Sequence, residues 1–266
     1  MVLNHDANKE MLLSMKIKLI LLFVLFYLLS LLITLPASTV MRFIPQNSGI
    51  EVAAVSGSAW QGKAFQFTYQ NKYHLQQLDW KVDWLALTNL QLKLDLKFNN
   101  GSNAMAGKGF LLLGFSGISV ENVIVDLSAS ELLSYLHLPL PVPVDATGEL
   151  SLVIKNGQQG LPYCQQLDGV IAWQNAKINS EMGNIDLGVV NIDLSCEKGQ
   201  LVADLEQNSE QLSSTINILL KEKGAYQLQG LLKESNKLDP SIRQVLPYIG
   251  AKNKSGETVL NFNGKL

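Results

Sequence analysis

The sequence is poor in the residues that most often carry chemistry. Its 266 residues include only two cysteines and three histidines, and charged residues make up 17% of the chain. The histidines, His5, His74 and His137, are far apart and have no Cys, Asp or Glu at a metal-ligand spacing. We interpret them as surface or hydrogen-bonded side chains and expect no metal site.

Motifs for nucleotide binding and nucleophilic catalysis are also missing. No glycine pattern matches a phosphate-binding or dinucleotide-binding loop, and Ser58 lacks the preceding glycine of a G-x-S-x-G elbow. Asp79 and Asp83 are a candidate acid/base pair, but they alternate with apolar residues, as on the solvated face of a strand. We therefore expect neither an enzyme nor a bound cofactor or nucleotide.

The charge pattern argues against nucleic-acid binding. The formal net charge is −2 and no three basic residues are consecutive, whereas nucleic-acid binding needs a basic face that neutralises phosphates.

One long apolar run dominates the N-terminal part. The 17 residues from Leu19 to Leu35 carry no charge, and about 20 apolar residues cross the hydrocarbon core of a bilayer. We predict a transmembrane anchor at 18–38. A cleaved signal peptide is the alternative, although its apolar region is usually shorter and Pro36–Thr39 is a weak cleavage site.

The flanking charges predict the orientation of the anchor. Lys9, Lys16 and Lys18 precede it, while the first cation after it is Arg42. Because cytoplasmic flanks are enriched in Lys and Arg, the leader at 1–17 is expected in the cytoplasm. Its start is open between Met1, Met11 and Met15. After a linker at 39–50, the domain at 51–266 is expected on the opposite side.

Both cysteines, Cys164 and Cys196, follow the anchor. In an exported domain a pair is most simply a disulfide, with two buried free thiols as the alternative.

Period-two alternation dominates the rest of the chain. Leu90–Phe98 alternates apolar and polar residues without a break, and Phe65, Phe67 and Tyr69 alternate with polar residues. Shorter segments repeat this pattern and are separated by turn residues at Asn99–Gly101, Asn156-Gly157, Lys198-Gly199 and Lys223-Gly224. We predict a mainly β fold: a twisted antiparallel sheet after the transmembrane helix. The further alternating segments are Leu150–Ile154, Ile185–Leu194, Leu201–Leu205, Ile216–Leu220, Tyr226–Leu232 and Leu260–Leu266.

Two short helices are predicted within this sheet. One follows the capping box Ser128–Glu131, and the other follows Asp239-Pro240. Each is followed by Leu-Pro (138 and 246) and then by Gly-Glu (148 and 256), both at an offset of 108 residues. Ala-Trp-Gln also recurs at Trp60 and Trp173. We predict a tandem duplication with halves at 51–160 and 161–266; chance similarity is the alternative.

The four tryptophans, Trp60, Trp80, Trp84 and Trp173, are expected to pack in the core, because each is assigned to an alternating strand. Contacts with a partner are the alternative, since tryptophan is common at interface hot spots.

An anchor followed by Gly57-Ser58-Ala59-Trp60-Gln61-Gly62 resembles the type II secretion system protein N family. That family carries a Gly-Thr/Ser-x-Trp-x-Gly signature shortly after its single membrane helix. The resemblance extends from Met15 to Leu266, although Ala59 is smaller than usual for the family. Leu78–Trp80, Trp84–Leu87, the cysteine pair and Gly264–Leu266 also fit. The resemblance implies structural signature residues at Gly57, Ser58, Trp60, Gly62, Gly169 and Trp173.

The resemblance further implies a single-pass inner-membrane component of the machinery that exports folded proteins from the periplasm across the outer membrane. Its expected partners are other components of that machinery, together with the lipids around the anchor. An alternative function is the handling of lipids or other apolar ligands, because a curved sheet with one apolar face can form an open groove. This alternative rests on a general likeness to envelope proteins of the AsmA type.

Overall fold

The computed structural model describes residues 3–43, 48–70, 73–101, 104–135 and 143–265. It contains an N-terminal helix followed by one antiparallel sheet of thirteen strands, which confirms the predicted mainly β fold. The helices are α1 Leu3–Ile33, α2 Ala37–Met41, α3 Ala129–Tyr135 and α4 Pro240–Ile249, with 3-10 helices at Trp84–Asn89 and Glu222–Gly224. The strands are β1 Ile50–Gly57, β2 Gln61–Tyr69, β3 Tyr73–Asp83, β4 Leu92–Asn99, β5 Ala106–Gly114, β6 Gly117–Ser128, β7 Val144–Gln159, β8 Cys164–Ser180, β9 Gly183–Glu197, β10 Gln200–Asn208, β11 Leu212–Leu220, β12 Ala225–Glu234 and β13 Thr258–Lys265.

Helix α1 is long and apolar enough to cross a membrane. Its segment Met15–Ile33 has a mean hydropathy of 2.4 and none of it is buried by the rest of the protein. Helix α2 follows after a short break and lies across the boundary between the predicted anchor and linker.

The sheet is a simple meander in which every strand pairs with its sequence neighbours. In an antiparallel meander, successive connections lie alternately at the two opposite ends of the strands. The connections at 58–60, 84–91, 115–116, 160–163, 198–199 and 221–224 lie on the side that meets the end of α1, which we call the anchor side. The other connections, with α3 and α4, lie on the far side.

Side chains on one face form a continuous apolar row across all thirteen strands. Directly paired residues of neighbouring strands share a face, and at this level every one of them is apolar or glycine. We call the set the apolar row: Val55, Ala64, Leu78, Phe98, Gly107, Val125, Leu152, Ile171, Ile192, Leu205, Ile216, Gly230 and Leu260.

The opposite face is largely polar. The neighbouring row begins with Lys63, Asp79, Lys97 and Lys108 and ends with Asn217, Gln229 and Asn261. Its middle is apolar, with Ile124, Val153 and Val170 on β6, β7 and β8. Ion pairs join adjacent strands there, including Lys63–Asp79 at 3.7 Å between nitrogen and oxygen. A sheet that is apolar on one face and wet on the other is the structure that period-two alternation predicts.

The apolar face is only partly covered. In the apolar row, Ala64 and Leu260 are buried with 0% and 6% exposure, whereas the other members stay half-buried. The accessible surface of the molecule is 18250 Å², against about 11,500 Å² for a compact monomer of this mass. Part of this excess is the bare helix α1, and part comes from a sheet that the described residues do not cover with a second layer.

Helix α4 contributes to a cluster of buried hydrophobic residues at the far side of the sheet. Leu238, Ile242 and Leu246 are buried together, and Ile185 and Leu232 of the sheet pack against them. Asp239 accepts a hydrogen bond from the Ser241 amide and Pro240 occupies the first turn, so the predicted cap of this helix is confirmed. At α3, the Ser128 hydroxyl accepts from the Glu131 amide, as the capping box predicts.

Two local predictions are wrong. The strand expected from Leu90 begins at Leu92, because Leu90 adopts a left-handed conformation (φ 56°) that ends the preceding 3-10 helix. Asn156-Gly157, expected as a turn, lies inside β7, and the register shifts between Ile154 and Asn156. The dipeptide therefore marks a β-bulge, which also favours such residues.

The order of elements agrees with the predicted repeat, which remains a prediction. The boundary at 160 and 161 falls between β7 and β8. The predicted first half contains β1–β7 with α3, and the second contains β8–β13 with α4. Apart from the additional β1, each half has six strands with one helix before the last strand. The predicted Leu138-Pro139 lies outside the described residues, as does His137. Leu246-Pro247 lies within α4.

Candidate functional site at the junction of helix and sheet

The Gly-Ser-x-Trp-x-Gly segment forms the tight turn between β1 and β2. The Ser58 amide donates to the Gln61 carbonyl at 2.9 Å. The Ser58 hydroxyl accepts from the amides of Trp60 and Gln61 at 3.3 and 3.1 Å. Gly57 has a φ of 94°, and a Cβ there would lie 2.5 Å from the Gln61 carbonyl oxygen. This turn therefore needs glycine at its start and a hydroxyl at its second position.

The turn binds the end of the apolar helix. The Trp60 indole Nε1 donates to the Leu32 carbonyl at 2.8 Å, and the Ala59 amide donates to the Leu35 carbonyl at 2.8 Å. Pro36 and Ser58 also form an isolated antiparallel bridge. The last carbonyls of a helix have no partner within the helix. The Leu32 carbonyl also accepts from the Leu35 amide at 3.3 Å, and Leu35 follows the helix, which ends at Ile33. The sheet thus supplies a second donor to Leu32 and a donor to the Leu35 carbonyl just beyond the helix.

Strand β3 holds the turn from the other side. The Val82 amide donates to the Trp60 carbonyl at 2.7 Å, and the Trp80 indole donates to the Ala59 carbonyl at 3.2 Å. The Trp80 ring lies against Gly62, where a Cβ would come within 2.4 Å of ring atom Cζ2. Gly62 is therefore required for close packing of a tryptophan on the turn.

The 3-10 helix Trp84–Asn89 extends the junction. The Trp60 and Trp84 ring centroids are 4.3 Å apart with 41° between the planes. Asp83 caps this helix by accepting from the Leu85 amide at 3.0 Å. Asp83 thus has a structural role, as Asp79 has in its ion pair with Lys63.

The tryptophans do not form a core. Trp60 lies in a turn and Trp84 in the 3-10 helix, so the assignment of all four to strands is wrong. None of the four is fully buried. The indole nitrogens of Trp60, Trp80 and Trp173 donate to backbone carbonyls, and the Trp84 ring packs against Trp60.

Gly169 and Trp173 lie elsewhere in the sheet, on β8. Gly169 faces the close neighbours Ile154 and Leu194. The Trp173 indole donates to the Thr147 carbonyl at 3.0 Å, beside Gly148 in its left-handed conformation. The structure therefore brings Gly57, Ser58, Trp60 and Gly62 together in one turn. Trp173, the other tryptophan of the signature, lies at a separate β-bulge.

Cys164 and Cys196 form a disulfide between the adjacent strands β8 and β9, with a Cα separation of 6.2 Å. It lies near the anchor-side ends of these strands and closes a loop with a sequence separation of 32 residues. In the chain-entropy model such a link stabilises the fold by about 3–4 kcal/mol.

Sequence reasoning missed the contact of Trp60 with α1 and the exposed end of the 3-10 helix. The run Trp84–Leu87 breaks the alternation and follows a potential N-cap at Asp83, which was the available signal for a helical turn. The hydrogen bond between Trp60 and Leu32 has no comparable sequence signal.

Comparisons with known proteins cover nearly the whole chain. The family model described as "Type II secretion system (T2SS), protein N" matches residues 48–261. The type II secretion system protein N of Vibrio cholerae serotype O1 (strain ATCC 39315 / El Tor Inaba N16961) is 32% identical over 247 residues, covering 92% of this chain and 97% of that protein. Its counterpart in Aeromonas hydrophila is 29% identical and covers 92% and 96%. No solved structure matches.

We predict that Gly62→Ala destabilises the protein by about 1–3 kcal/mol, because the added methyl overlaps the Trp80 ring and nothing nearby can move freely. Gly114→Ala is the matched control, since its methyl meets only the flexible side chain of Gln91. Denaturant unfolding of the full chain in detergent measures both. Equal effects of the two substitutions would contradict the packing described for Gly62.

Proposed function

Because the chain belongs to the type II secretion system protein N family, we propose that it is an inner-membrane component of the type II secretion machinery. In this proposal its role is structural or assembly-related and serves the export of folded proteins from the periplasm across the outer membrane. Its partners would be other components of the machinery.

The proposed topology has one membrane span. Helix α1 would cross the inner membrane with the lysine-bearing leader in the cytoplasm. The sheet would then lie in the periplasm, where an oxidising environment suits the disulfide between Cys164 and Cys196.

The junction of helix and sheet is the observation that carries the proposal. Trp60 and Ala59 donate hydrogen bonds to the carbonyls of Leu32 and Leu35, so the first turn of the sheet packs directly on the end of the helix. A freely moving tether would need none of these contacts. The family signature is built around them, which supports a role that depends on where the sheet is held.

The sheet edges are the natural surfaces for a partner strand. The alternating segment at 92–99 is not an edge, because β4 pairs on both sides with β3 and β5. The edge strands are β1 and β13. Residues 251–252 cover the start of β13 through hydrogen bonds to Val259 and Thr258. Strand β1 is the more open edge for strand addition.

We predict that replacing α1 by a cleavable signal peptide abolishes type II secretion while the exported sheet still folds. The reason is that the sheet closes its own hydrogen bonds but loses its fixed position at the membrane. Secretion of a reporter exoprotein and the disulfide state of the freed domain measure the two effects. Full secretion with an untethered domain would contradict a positional role.

A second candidate function is the handling of an apolar ligand, and the apolar row favours it. This row runs unbroken through thirteen strands, and most of its members stay half-exposed. An apolar path of this length is a surface against which an extended acyl chain can lie.

If the protein handles apolar ligands, we predict that native mass spectrometry still detects bound lipid after the detergent has been removed. Ile216→Asp should reduce lipid retention, because it places a charge in the apolar row. Gln229→Asp, on the opposite face of the neighbouring strand β12, should not. A lipid-free protein, or equal effects of the two substitutions, would rule out this function for the apolar face.

A further inference from the structure

Three large apolar side chains are exposed together at the anchor side. Trp84, Leu85 and Leu90 are 47%, 78% and 71% exposed. Single exposed leucines are common on soluble proteins, but these three come from one short segment that carries no charged residue between 84 and 90. A group of this kind marks an interaction surface. We call it the interfacial patch.

The position of the interfacial patch follows from the junction. The Trp84 ring contacts Trp60, and Trp60 bonds the carbonyl of Leu32 in the last turn of α1. The apolar segment of α1 ends at Ile33. The patch therefore lies beside the end of the anchor, at the level where a spanning helix would leave the hydrocarbon.

The side chains suit that level. Tryptophan is enriched at the boundary between hydrocarbon and water, because its ring is apolar and its N–H is polar. Leucine side chains of an interfacial helix enter the outer part of the acyl region. The next connection on the anchor side, between β5 and β6, adds Phe115, which is 93% exposed.

We propose that the interfacial patch inserts into the periplasmic leaflet of the inner membrane and forms a second lipid contact beside the anchor. The proposal rests on the membrane anchoring proposed above. One helix fixes the height of the sheet above the bilayer, and a second contact to the side also fixes its tilt. The occupant is a phospholipid surface, since the patch is continuous with the apolar surface of α1.

Photo-cross-linking to lipid tests the proposal. The full chain carries p-benzoylphenylalanine in place of Leu25, Leu85 or Tyr248 and is reconstituted into liposomes of phosphatidylethanolamine and phosphatidylglycerol. Leu25 in α1 is the positive control for anchoring. Tyr248 is the matched control, because it is 89% exposed on α4 at the far side of the sheet. Disulfide formation shows that each variant is folded.

We expect lipid adducts at position 85 in a yield near that at position 25 and several-fold above that at position 248. The inference would be overturned if position 25 gives lipid adducts but the adduct yield at position 85 is no higher than at position 248. This result would leave the anchoring by α1 intact. Adducts of position 85 to a second copy of the protein instead of lipid would also overturn it. No adducts at 25 would contradict the membrane anchoring itself.

Discussion

The carbonyl groups at the end of helix α1 are the constraint on which the rest of the structure depends. The last carbonyls of a helix lack donors within the helix, and here the first turn of the sheet donates to the carbonyls of Leu32 and Leu35 through Trp60 and Ala59. Each such bond contributes about 0.5–1.5 kcal/mol. Their value is geometric, because together they allow only one position of the turn at the helix end.

The signature residues follow from that requirement. Gly57 and Ser58 shape the turn so that the indole reaches back to Leu32. Gly62 leaves room for Trp80, whose indole bonds the same turn. The signature residues of this turn are thus the parts of a joint between helix and sheet. The sheet extends from this joint by adding one hairpin after another.

Sequence reasoning recovers the regular parts of this protein. The alternation of Leu94, Leu96 and Phe98 with charged residues, the capped helix at Asp239 and the cysteine pair predict strands, a helix and a disulfide that the structure contains. The strands and the helix depend on near neighbours in the chain, and the disulfide was predictable because the sequence offers a single pair of cysteines. The same reasoning misplaces Leu90, because leucine fits a strand pattern and rarely adopts the left-handed conformation that it has here. It misplaces Asn156-Gly157, because a β-bulge favours residue types that are also common in turns.

The joint between helix and sheet could not be predicted from the sequence. The contact between Trp60 and Leu32 joins residues 28 positions apart, and its donor is a residue type that packs equally well in a core. If the joint fixes the sheet, spin labels at Leu25→Cys and Glu51→Cys should give a narrow distance distribution in lipid nanodiscs. Trp60→Phe should broaden it by removing the indole donor, while Trp173→Phe, which loses a similar bond to Thr147, should leave it narrow. A broad distribution in the otherwise unchanged protein, or no effect of Trp60→Phe, would contradict the account.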